Sequence, residues 1–452
     1  MMGTAYPGYR SVRSRWVPHV PEHWLLLRAK NFLREIDDRT TTGEETLLSM
    51  RQHRGLVPHN DVSNKRIDAV HLIGYKKAQP NELVLNRMQA GNAMFFRNRQ
   101  SGLVSPDYAV FRLLRDDNPE YLGHLFRSWP MRGLFRSESK GLGTGTSGFL
   151  RLYSDRFAAL EIPLPPRPEQ DQIVAYLRAQ DAHIARYIKT KRTLISLLKE
   201  QRRNIITRAV TQGIERGVAK WLTGVEYIPN IPAHWEMKSV RSELQCLNRK
   251  RVPLSATERG HMQGSFDYYG ASGIIDRISD YIFDDELLLI AEDGANLVLR
   301  NLPLTIVARG KFWVNNHAHI LKPRSGRLEY FAYLMECIDY RPWISGAAQP
   351  KLTKDRLMSI RIPVPPEDEQ NRIVNYITNE IKEIDIAIEH TTSEVRLIYE
   401  YRDRLIADVV TGQIDVRGWQ PGPDDAVNDE DLAALGDDEE VEPAEEDDDG
   451  AD

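Results

Sequence analysis

The chain has 452 residues, of which 41% are hydrophobic and 28% are charged, enough for several domains with ordinary cores. Its two cysteines, Cys246 and Cys337, are far apart and outside any metal-ligand spacing, which favours a reducing, cytoplasmic location. No stretch approaches the length and hydropathy of a membrane span, so the sequence predicts a soluble protein without a membrane partner.

The formal net charge of −5 is unevenly distributed. Residues 420–452 contain sixteen acidic and no basic residues, which leaves 49 acidic against 60 basic residues elsewhere, a balance of +11. A basic body suits a polyanion such as nucleic acid. The tail has too little apolar surface to fold and is predicted to be disordered. It could provide solubility, or it could compete with DNA for the basic body.

The first globular segment is predicted to mix strands and helices. Apolar residues 83–85 and Tyr108–Leu113 favour strands, since loops rich in Gly and Asn separate them. Asn118 before Pro119 is a favourable N-cap and first-turn pair, so a helix should begin there.

A motif that begins at Ile162 returns 200 residues later at Ile362, with the pattern Ile-Pro-x-Pro-Pro-x2-Glu-Gln-x2-Ile-Val-x-Tyr. The match continues without gaps to Ile214 and Ile414, which indicates an internal repeat. Proline disfavours both strand and helix continuation. Each copy therefore predicts a short strand that ends at residue 162 or 362 and a helix that begins soon after.

Each copy continues with a stripe of apolar residues at alternating steps of three and four. Eight of eleven stripe positions from Val174 to Ala209 are apolar, and nine of eleven from Val374 to Val409. Five heptads without internal Gly or Pro predict two long helices that can bury their stripes against each other as a coiled coil. A helix over residues 169–211 would be roughly 65 Å long at ~1.5 Å per residue. Polar stripe positions could fix the register or mark a wet seam; they are Lys191, Thr391, Arg202 and Arg402.

The segments ahead of the two helices also correspond, at offsets that vary between 204 and 211. His23-Trp24 matches His234-Trp235, strands are predicted at 287–290 and 318–321, and a helix near Leu328–Cys337 matches the one at Pro119. The framework is repeated whereas the loops differ, as expected if two equivalent scaffolds present different recognition surfaces.

In combination, these features resemble the DNA-specificity subunit of type I restriction-modification systems over about residues 16–419. Beside the repeated motif, the resemblance depends on residues 86–88, 102–108, 269–273, 291–296, 311–319 and 349–352. The acidic tail is not part of the family pattern.

The resemblance implies an α+β fold in which two tandem α/β target recognition domains and two long antiparallel helices form a pseudo-two-fold repeat. The expected divisions are 1–165 and 216–365 for the recognition domains, 166–215 and 366–419 for the helices, and 420–452 for the tail. Each domain would read one half of a split, asymmetric site in double-stranded DNA. If the helices set the spacing, the half-sites should lie within about two turns of DNA, at ~34–36 Å per turn.

The helices would also serve as a docking platform for two methyltransferase subunits, and restriction (translocase/nuclease) subunits would join the complex. By this resemblance the chain has no catalytic residue, metal or cofactor of its own. S-adenosylmethionine, ATP and Mg would bind to the partner subunits, which methylate adenine and drive cleavage. The sequence agrees in lacking a Gly-x4-Gly-Lys-Ser/Thr phosphate loop. A stand-alone DNA-modifying enzyme and a coiled-coil scaffold that does not bind DNA remain the alternatives.

Base readout requires Arg, Lys, Asn or Gln on loops that enter a groove, and further basic residues contact phosphates. In the first domain the candidates are Arg51, His53, Arg54, Arg87, Arg97, Asn98, Arg99, Ser105 and Lys140. In the second they are Arg249, Lys250, Arg251, Tyr268, Tyr269, Ser272, Asn296, Lys311, Asn315, Asn316, Gln349 and Lys351. We expect no more than half of them to touch DNA. Glu292-Asp293 is expected to cap a loop, and His317-x-His319 to have a structural or DNA-contact role in preference to metal binding.

Overall fold

The computed structural model of the chain describes residues 5–428 apart from 53, 64, 143–148 and 347–349, together with 432 and 435. It divides into two compact units. The described residues of unit 1 lie within Met1–Thr193 and Thr392–Glu440, and those of unit 2 lie within Leu194–Thr391. The compact units therefore do not follow consecutive stretches of sequence, because each long helix contributes to both.

The two predicted long helices are confirmed, as Arg167–Gln212 and Glu367–Val410. In unit 1, Asp181 pairs with Arg402 and Lys191 with Glu394, so residue numbers rise on one helix as they fall on the other. This order makes the helix pair antiparallel, as predicted.

The same direction holds in unit 2. Arg202 pairs with Asp385, and Glu215, just beyond the end of the first long helix, pairs with Arg372. The polar stripe positions Arg202 and Arg402 thus have charged partners. The seam is buried at Ile184 and Ile384 but only partly buried at Ile195, because there each helix is covered by its partner alone.

The globular part of unit 1 is built on a four-stranded antiparallel sheet, in the order Leu33–Ile36, Tyr108–Leu113, Leu83–Asn86 and Phe95–Arg97. One face packs on helices through an aromatic core in which Phe95 stacks on Phe126 at 4.6 Å. The other strands are Tyr9–Ser11, His19–Pro21, Leu25–Arg28, Leu48–Arg51, Gly55–Pro58, Lys76–Ala78, Gly102–Val104, Lys140–Leu142, Phe149–Arg151 and Glu161–Leu164. The helices are Ala69–Leu72, Pro119–Arg127, Trp129–Glu138 and Ser154–Ala159, with a 3-10 helix at Arg87–Asn92.

Unit 2 repeats this sheet and extends it to six strands, in the order Leu244–Cys246, Ala318–Pro323, Phe283–Ala291, Thr305–Val314, Gln263–Tyr269 and Ile274–Ile278. All neighbours are antiparallel except Gln263–Tyr269, which runs parallel to Thr305–Val314. The other strands are Lys220–Val225, Ile228–Pro232, Glu236–Ser239, Ile344–Ser345, Lys351–Leu352 and Arg361–Val364. The helices are Val240–Glu243, Ala256–His261, Asn296–Leu299, Leu328–Cys337 and Lys354–Ser359, with a 3-10 helix at Asn248–Lys250.

The repeated proline motif is wrongly predicted in one respect. The strand does not end before Pro163: it runs over Glu161–Leu164 and pairs with Leu25–Arg28. The equivalent strand Arg361–Val364 contains Pro363. Proline is tolerated there because these ribbons have only two strands, so the missing N–H can lie on the unpaired side.

The repeated Glu of the motif anchors the globular part of unit 1 to its helices. Glu169, in the first turn of its helix, accepts hydrogen bonds from the Trp24 indole at 2.9 Å and the Tyr6 hydroxyl at 2.6 Å. The His23 imidazole lies 2.7 Å from the other carboxylate oxygen. Burial, together with Glu169, raises the pKa of Tyr6, so the phenol remains a donor.

Unit 2 contains the same joint. Glu369 accepts a hydrogen bond from the Trp235 indole at 3.1 Å and lies 2.7 Å from His234. The Pro-x-His-Trp and Pro-Pro-x2-Glu-Gln matches, which are about 135 residues apart in sequence, therefore repeat because they form one contact.

Two further hydrogen bonds of the joint are also duplicated. The amides of Gln170 and Gln370 donate to the carbonyls two residues after the strand prolines, at 2.9 and 3.0 Å. The buried hydroxyl of Tyr121 donates to the Val410 carbonyl at 3.0 Å, and that of Tyr330 donates to the Val210 carbonyl at 3.2 Å. Each globular part is thus fixed to the start of one long helix and the end of the other.

Candidate nucleic-acid interface

Four loops of unit 2 meet around the carboxylate of Glu292. The Arg251 guanidinium donates to this carboxylate at 2.6 Å and also to the carbonyls of Asn316 and Ala318 at 3.0 and 2.9 Å. The ammonium of Lys351 lies 3.5 Å from the same carboxylate. Arg251, Asn316 and Lys351, three predicted DNA contacts, are therefore brought together, but Arg251 holds the loops in place.

The two histidines of the His-x-His pattern have different surroundings. His317 pairs with Asp293 at 3.0 Å and is partly exposed, whereas His319 is fully buried and donates from Nε2 to the Leu352 carbonyl at 2.7 Å. Burial lowers the pKa of His319, which favours the neutral ring. In that state Nδ1 can accept a hydrogen bond from the Asn248 amide at 2.8 Å. Within the described part of the chain, no group of three or more His, Cys, Asp or Glu residues could hold a metal ion.

Several candidates of unit 2 face solvent beside these loops. Arg249 and Lys250 are exposed on the 3-10 helix Asn248–Lys250, and Ser272 lies on the exposed turn after Tyr269. Lys311 is exposed on its strand and lies over the Tyr281 ring at 4.6 Å. These side chains are placed to reach a polyanion.

Four other candidates of unit 2 form part of the framework. Tyr268 is fully buried, with its hydroxyl 3.0 Å from the Leu254 amide, and Tyr269 packs edge-on against Phe312. The Asn315 and Asn296 side chains accept from the backbone amides of residues 317 and 302 at 2.8 and 2.9 Å, respectively. These contacts stabilise the loops and occupy polar groups of the side chains inside the unit.

Three candidates of unit 1 likewise form part of the framework. Arg87 is largely buried and pairs with Glu35. Arg97 donates to Glu120 at 2.7 Å. Asn98 is fully buried and donates to the backbone carbonyls of Gln79 and Gln100. The polar groups of all three side chains are therefore bonded inside the domain, and carboxylates distant in the sequence neutralise the two arginines.

The remaining candidates of unit 1 lie near or at the surface. Arg54, Arg99 and Lys140 are exposed, and Arg51 is partly exposed at the end of strand Leu48–Arg51. The Ser105 hydroxyl accepts from the Asp107 amide at 3.4 Å. His53 and Gln349 lie outside the described residues.

Unit 1 also contains a cleft of about 740 Å³ that the sequence did not reveal. We call it the arginine cleft; its lining is Trp16, Met50, Arg51, Gln52, Gln89, Gly91, Asn92, Met94, Trp129, Arg132, Gly133 and Arg136. Only Arg51 among these was predicted to contact DNA. The others lie on the Trp16 loop, strand Leu48–Arg51 and the turn after it, the 3-10 helix Arg87–Asn92, the turn before strand Phe95–Arg97, and helix Trp129–Glu138. No periodicity connects these elements in the sequence.

The first residues of the acidic tail are ordered. Trp419 packs edge-on against Tyr176 at 5.5 Å, and Asp425 lies 2.7 Å from His183. The Arg186 guanidinium donates to the Asp424 carbonyl at 2.7 Å. The tail thus follows the first long helix of unit 1 as far as Asp425, while residues 429–431, 433–434 and 436–452 lie outside the described part.

Among the described helices, none combines the length and hydropathy that a membrane crossing requires.

Comparison with known proteins finds similarity to one family. The profile for the type I restriction modification DNA specificity domain matches residues 232–395. A type I restriction enzyme specificity subunit of Haemophilus influenzae is 34% identical over 143 residues, 31% of this chain and 36% of that protein, so this match spans about a third of the relative's length. The MjaX specificity subunit of Methanocaldococcus jannaschii is 21% identical over 439 residues, which cover 89% of this chain and 96% of the relative.

One solved structure has a similar fold. It comes from a study of complex assembly and conformational transition in a type I restriction-modification system, and it aligns with a TM-score of 0.58 at 16% identity. The alignment covers 86% of this chain and 98% of the other. At that identity the likeness concerns the fold alone.

Proposed function

We propose that this chain is a DNA-specificity subunit of a type I restriction-modification system, that it reads a split site in double-stranded DNA and that it catalyses no reaction itself. The loops of unit 1 read one half of the site and those of unit 2 read the other half. The site is asymmetric because the two sets of loops differ.

The duplicated joint is the observation that carries this proposal. Glu169 and Glu369 hold two globular parts in the same way on one pair of helices, whereas the surfaces beyond the joint have different residues. Unit 1 presents the arginine cleft, and unit 2 presents exposed Arg249 and Lys250 beside an ion-paired loop cluster. A scaffold with a constant frame and variable loops suits recognition of two different sequences.

We further propose that the outer faces of the long helices dock two methyltransferase subunits. Leu197 and Leu397 occupy equivalent positions in the repeat and are 57% and 58% exposed. Tyr401 and Ile386 are also more than half exposed. Large apolar side chains exposed on both copies of a repeat favour a partner that binds twice. The partners would bind S-adenosylmethionine, and restriction subunits would supply the ATP- and Mg-dependent steps.

The proposal is tested by DNA binding of the complex of this chain with its methyltransferase subunits. We expect a random-sequence duplex pool to be enriched for two short fixed elements at a constant spacing, with affinity that falls steeply as salt rises. The methyltransferase subunits alone should enrich no such pair. A coiled-coil scaffold would leave the pool unselected, and a stand-alone enzyme would methylate or cleave the duplex without partners.

A further inference from the structure

Two arginines of the arginine cleft, Arg132 and Arg136, carry positive charge that no described carboxylate neutralises. The described lining of the cleft contains no acidic residue. Among the described residues, the Arg136 guanidinium donates only to the neutral amide of Asn92, at 3.2 Å, and the Arg132 side chain has no hydrogen-bond or ion-pair partner. By contrast, carboxylates hold Arg87 and Arg97 elsewhere in the unit. Uncompensated arginines in a concave surface attract a polyanion.

The cleft also exposes side-chain amides that can read bases. Both glutamines are exposed: Gln52 follows strand Leu48–Arg51, and Gln89 lies in the 3-10 helix Arg87–Asn92. No described residue forms a hydrogen bond with the side-chain amide of either. A Gln side chain can bind both N6 and N7 of adenine at once, which a surface of charge alone cannot do. The cleft therefore combines groups for phosphate contact with groups for base readout.

The walls of the cleft are fixed before any ligand binds. The Arg127 guanidinium lies 4.4 Å over the Phe96 ring and donates to the Gln52 carbonyl at 2.9 Å, which positions the Gln52 loop. Burial lowers the pKa of Arg127 to about 10, so it stays protonated at neutral pH. The Trp16 ring lies so close to Gly133 that a Cβ there would be 2.4 Å from it. Fixed walls lower the entropy cost of binding.

We propose that the arginine cleft receives one half of the DNA site, with Arg132 and Arg136 on phosphates and Gln52 and Gln89 on base edges. This inference rests on the proposed function and adds to it the residues that determine specificity in unit 1. It assigns the DNA contacts of unit 1 to side chains that the sequence did not single out. They replace the candidates Arg87, Arg97 and Asn98, whose polar groups are bonded within the domain.

The test uses the complex with methyltransferase subunits and four single variants: Gln52→Ala, Gln89→Ala, Arg132→Ala and Arg136→Ala. Each Gln variant should relax base preference in one half of the motif, lowering discrimination by roughly 5- to 150-fold at the affected position and leaving the other half unchanged. Each Arg variant should weaken binding to all sequences alike. It should also reduce the slope of log affinity against log salt concentration by about one.

Arg28→Ala is the matched control, since Arg28 is an exposed arginine of unit 1 that does not line the cleft. A Gln89→Glu variant adds a sharper readout, because a carboxylate accepts from the cytosine amino group and should change the preferred base. If all cleft variants bind and select like Arg28→Ala, while wild-type complex still selects a split motif, the inference is overturned and the proposed function stands. If wild-type complex selects no motif, the proposed function itself fails.

Discussion

The indole of Trp24 donates a hydrogen bond to the carboxylate of Glu169 over 2.9 Å, and this single contact ties the start of the globular chain to the long helix 145 residues later. The pair formed by Trp235 and Glu369 repeats it in unit 2. The contact explains why two short motifs, remote from each other in sequence, are both repeated.

The joint predicts unequal costs for equivalent substitutions. Glu169→Ala leaves two buried donors, Trp24 and Tyr6, without an acceptor, at about 2–5 kcal/mol. Glu369→Ala leaves one buried donor, Trp235, without an acceptor and should lower the free energy of unfolding by about 1–3 kcal/mol. Denaturant unfolding followed by tryptophan fluorescence measures both, with exposed Glu389→Ala as the control. Equal losses for all three variants would contradict the role of the joint.

The helix seam contains ion pairs of different burial. The Asp181 carboxylate accepts from Arg402 at 2.7 and 2.9 Å, with side chains only 13% and 22% exposed, whereas Arg202 and Asp385 are 38% and 46% exposed. Asp181→Ala should therefore cost about 3 kcal/mol, because it leaves a largely buried guanidinium without its partner. Asp385→Ala should cost less than about 1 kcal/mol. The unfolding midpoints of the two variants measure this difference. A larger loss for Asp385→Ala than for Asp181→Ala would contradict the greater contribution of the buried ion pair.

Glu120 predicts a specific response to acid. Burial by itself would raise its pKa, but the Arg178 and Arg97 guanidiniums and His124 outweigh burial, so the net pKa is lowered. Because the folded pKa lies below the unfolded one, this stabilisation is complete above the unfolded pKa and is lost as pH falls through the folded pKa. Wild type should therefore be more stable than Glu120→Gln at pH 7, and the difference should disappear at strongly acidic pH. A difference that persists unchanged in acid would exclude this ion-pair contribution.

The acidic tail predicts an effect on DNA affinity. Asp424 and Asp425 contact the first long helix at Arg186 and His183, and residues 429–452 contain fourteen further acidic residues. If that chain competes with DNA for the basic body, deletion of residues 429–452 should tighten DNA binding at low salt and have little effect at high salt, where charge is screened. Equal affinity of both forms at low salt would leave solubility as the explanation of the tail.

The repeat made the frame of the protein predictable, because burial and helix packing leave periodic signals. Strand Tyr108–Leu113 and helix Leu328–Cys337 have their predicted bounds, and Asn118 caps its helix as expected. The strand at Ile162 was predicted to end too early, because a two-stranded ribbon tolerates Pro163 on its free side and the sequence does not tell how many neighbours a strand has.

The reading surface was much less predictable. Arg97 and Arg132 are the same residue type in the sequence. In the structure, Glu120 neutralises Arg97, whereas no described side chain neutralises Arg132. Gln52, Gln89 and Arg132 meet in one cleft although 80 positions separate the first from the last. Ion pairing and concavity depend on tertiary contacts that carry no local pattern, so candidate residues chosen by type alone include framework residues such as Tyr268.

The most direct test of the central claim is genome-wide mapping of methylated adenines in cells that express this chain and its methyltransferase partner, with and without the gene. We expect a split, asymmetric motif that disappears when the gene is deleted, and exchange of residues 16–165 should change one half of it only. An unchanged methylation pattern after deletion, with active partners present, would contradict the assignment as a DNA-specificity subunit.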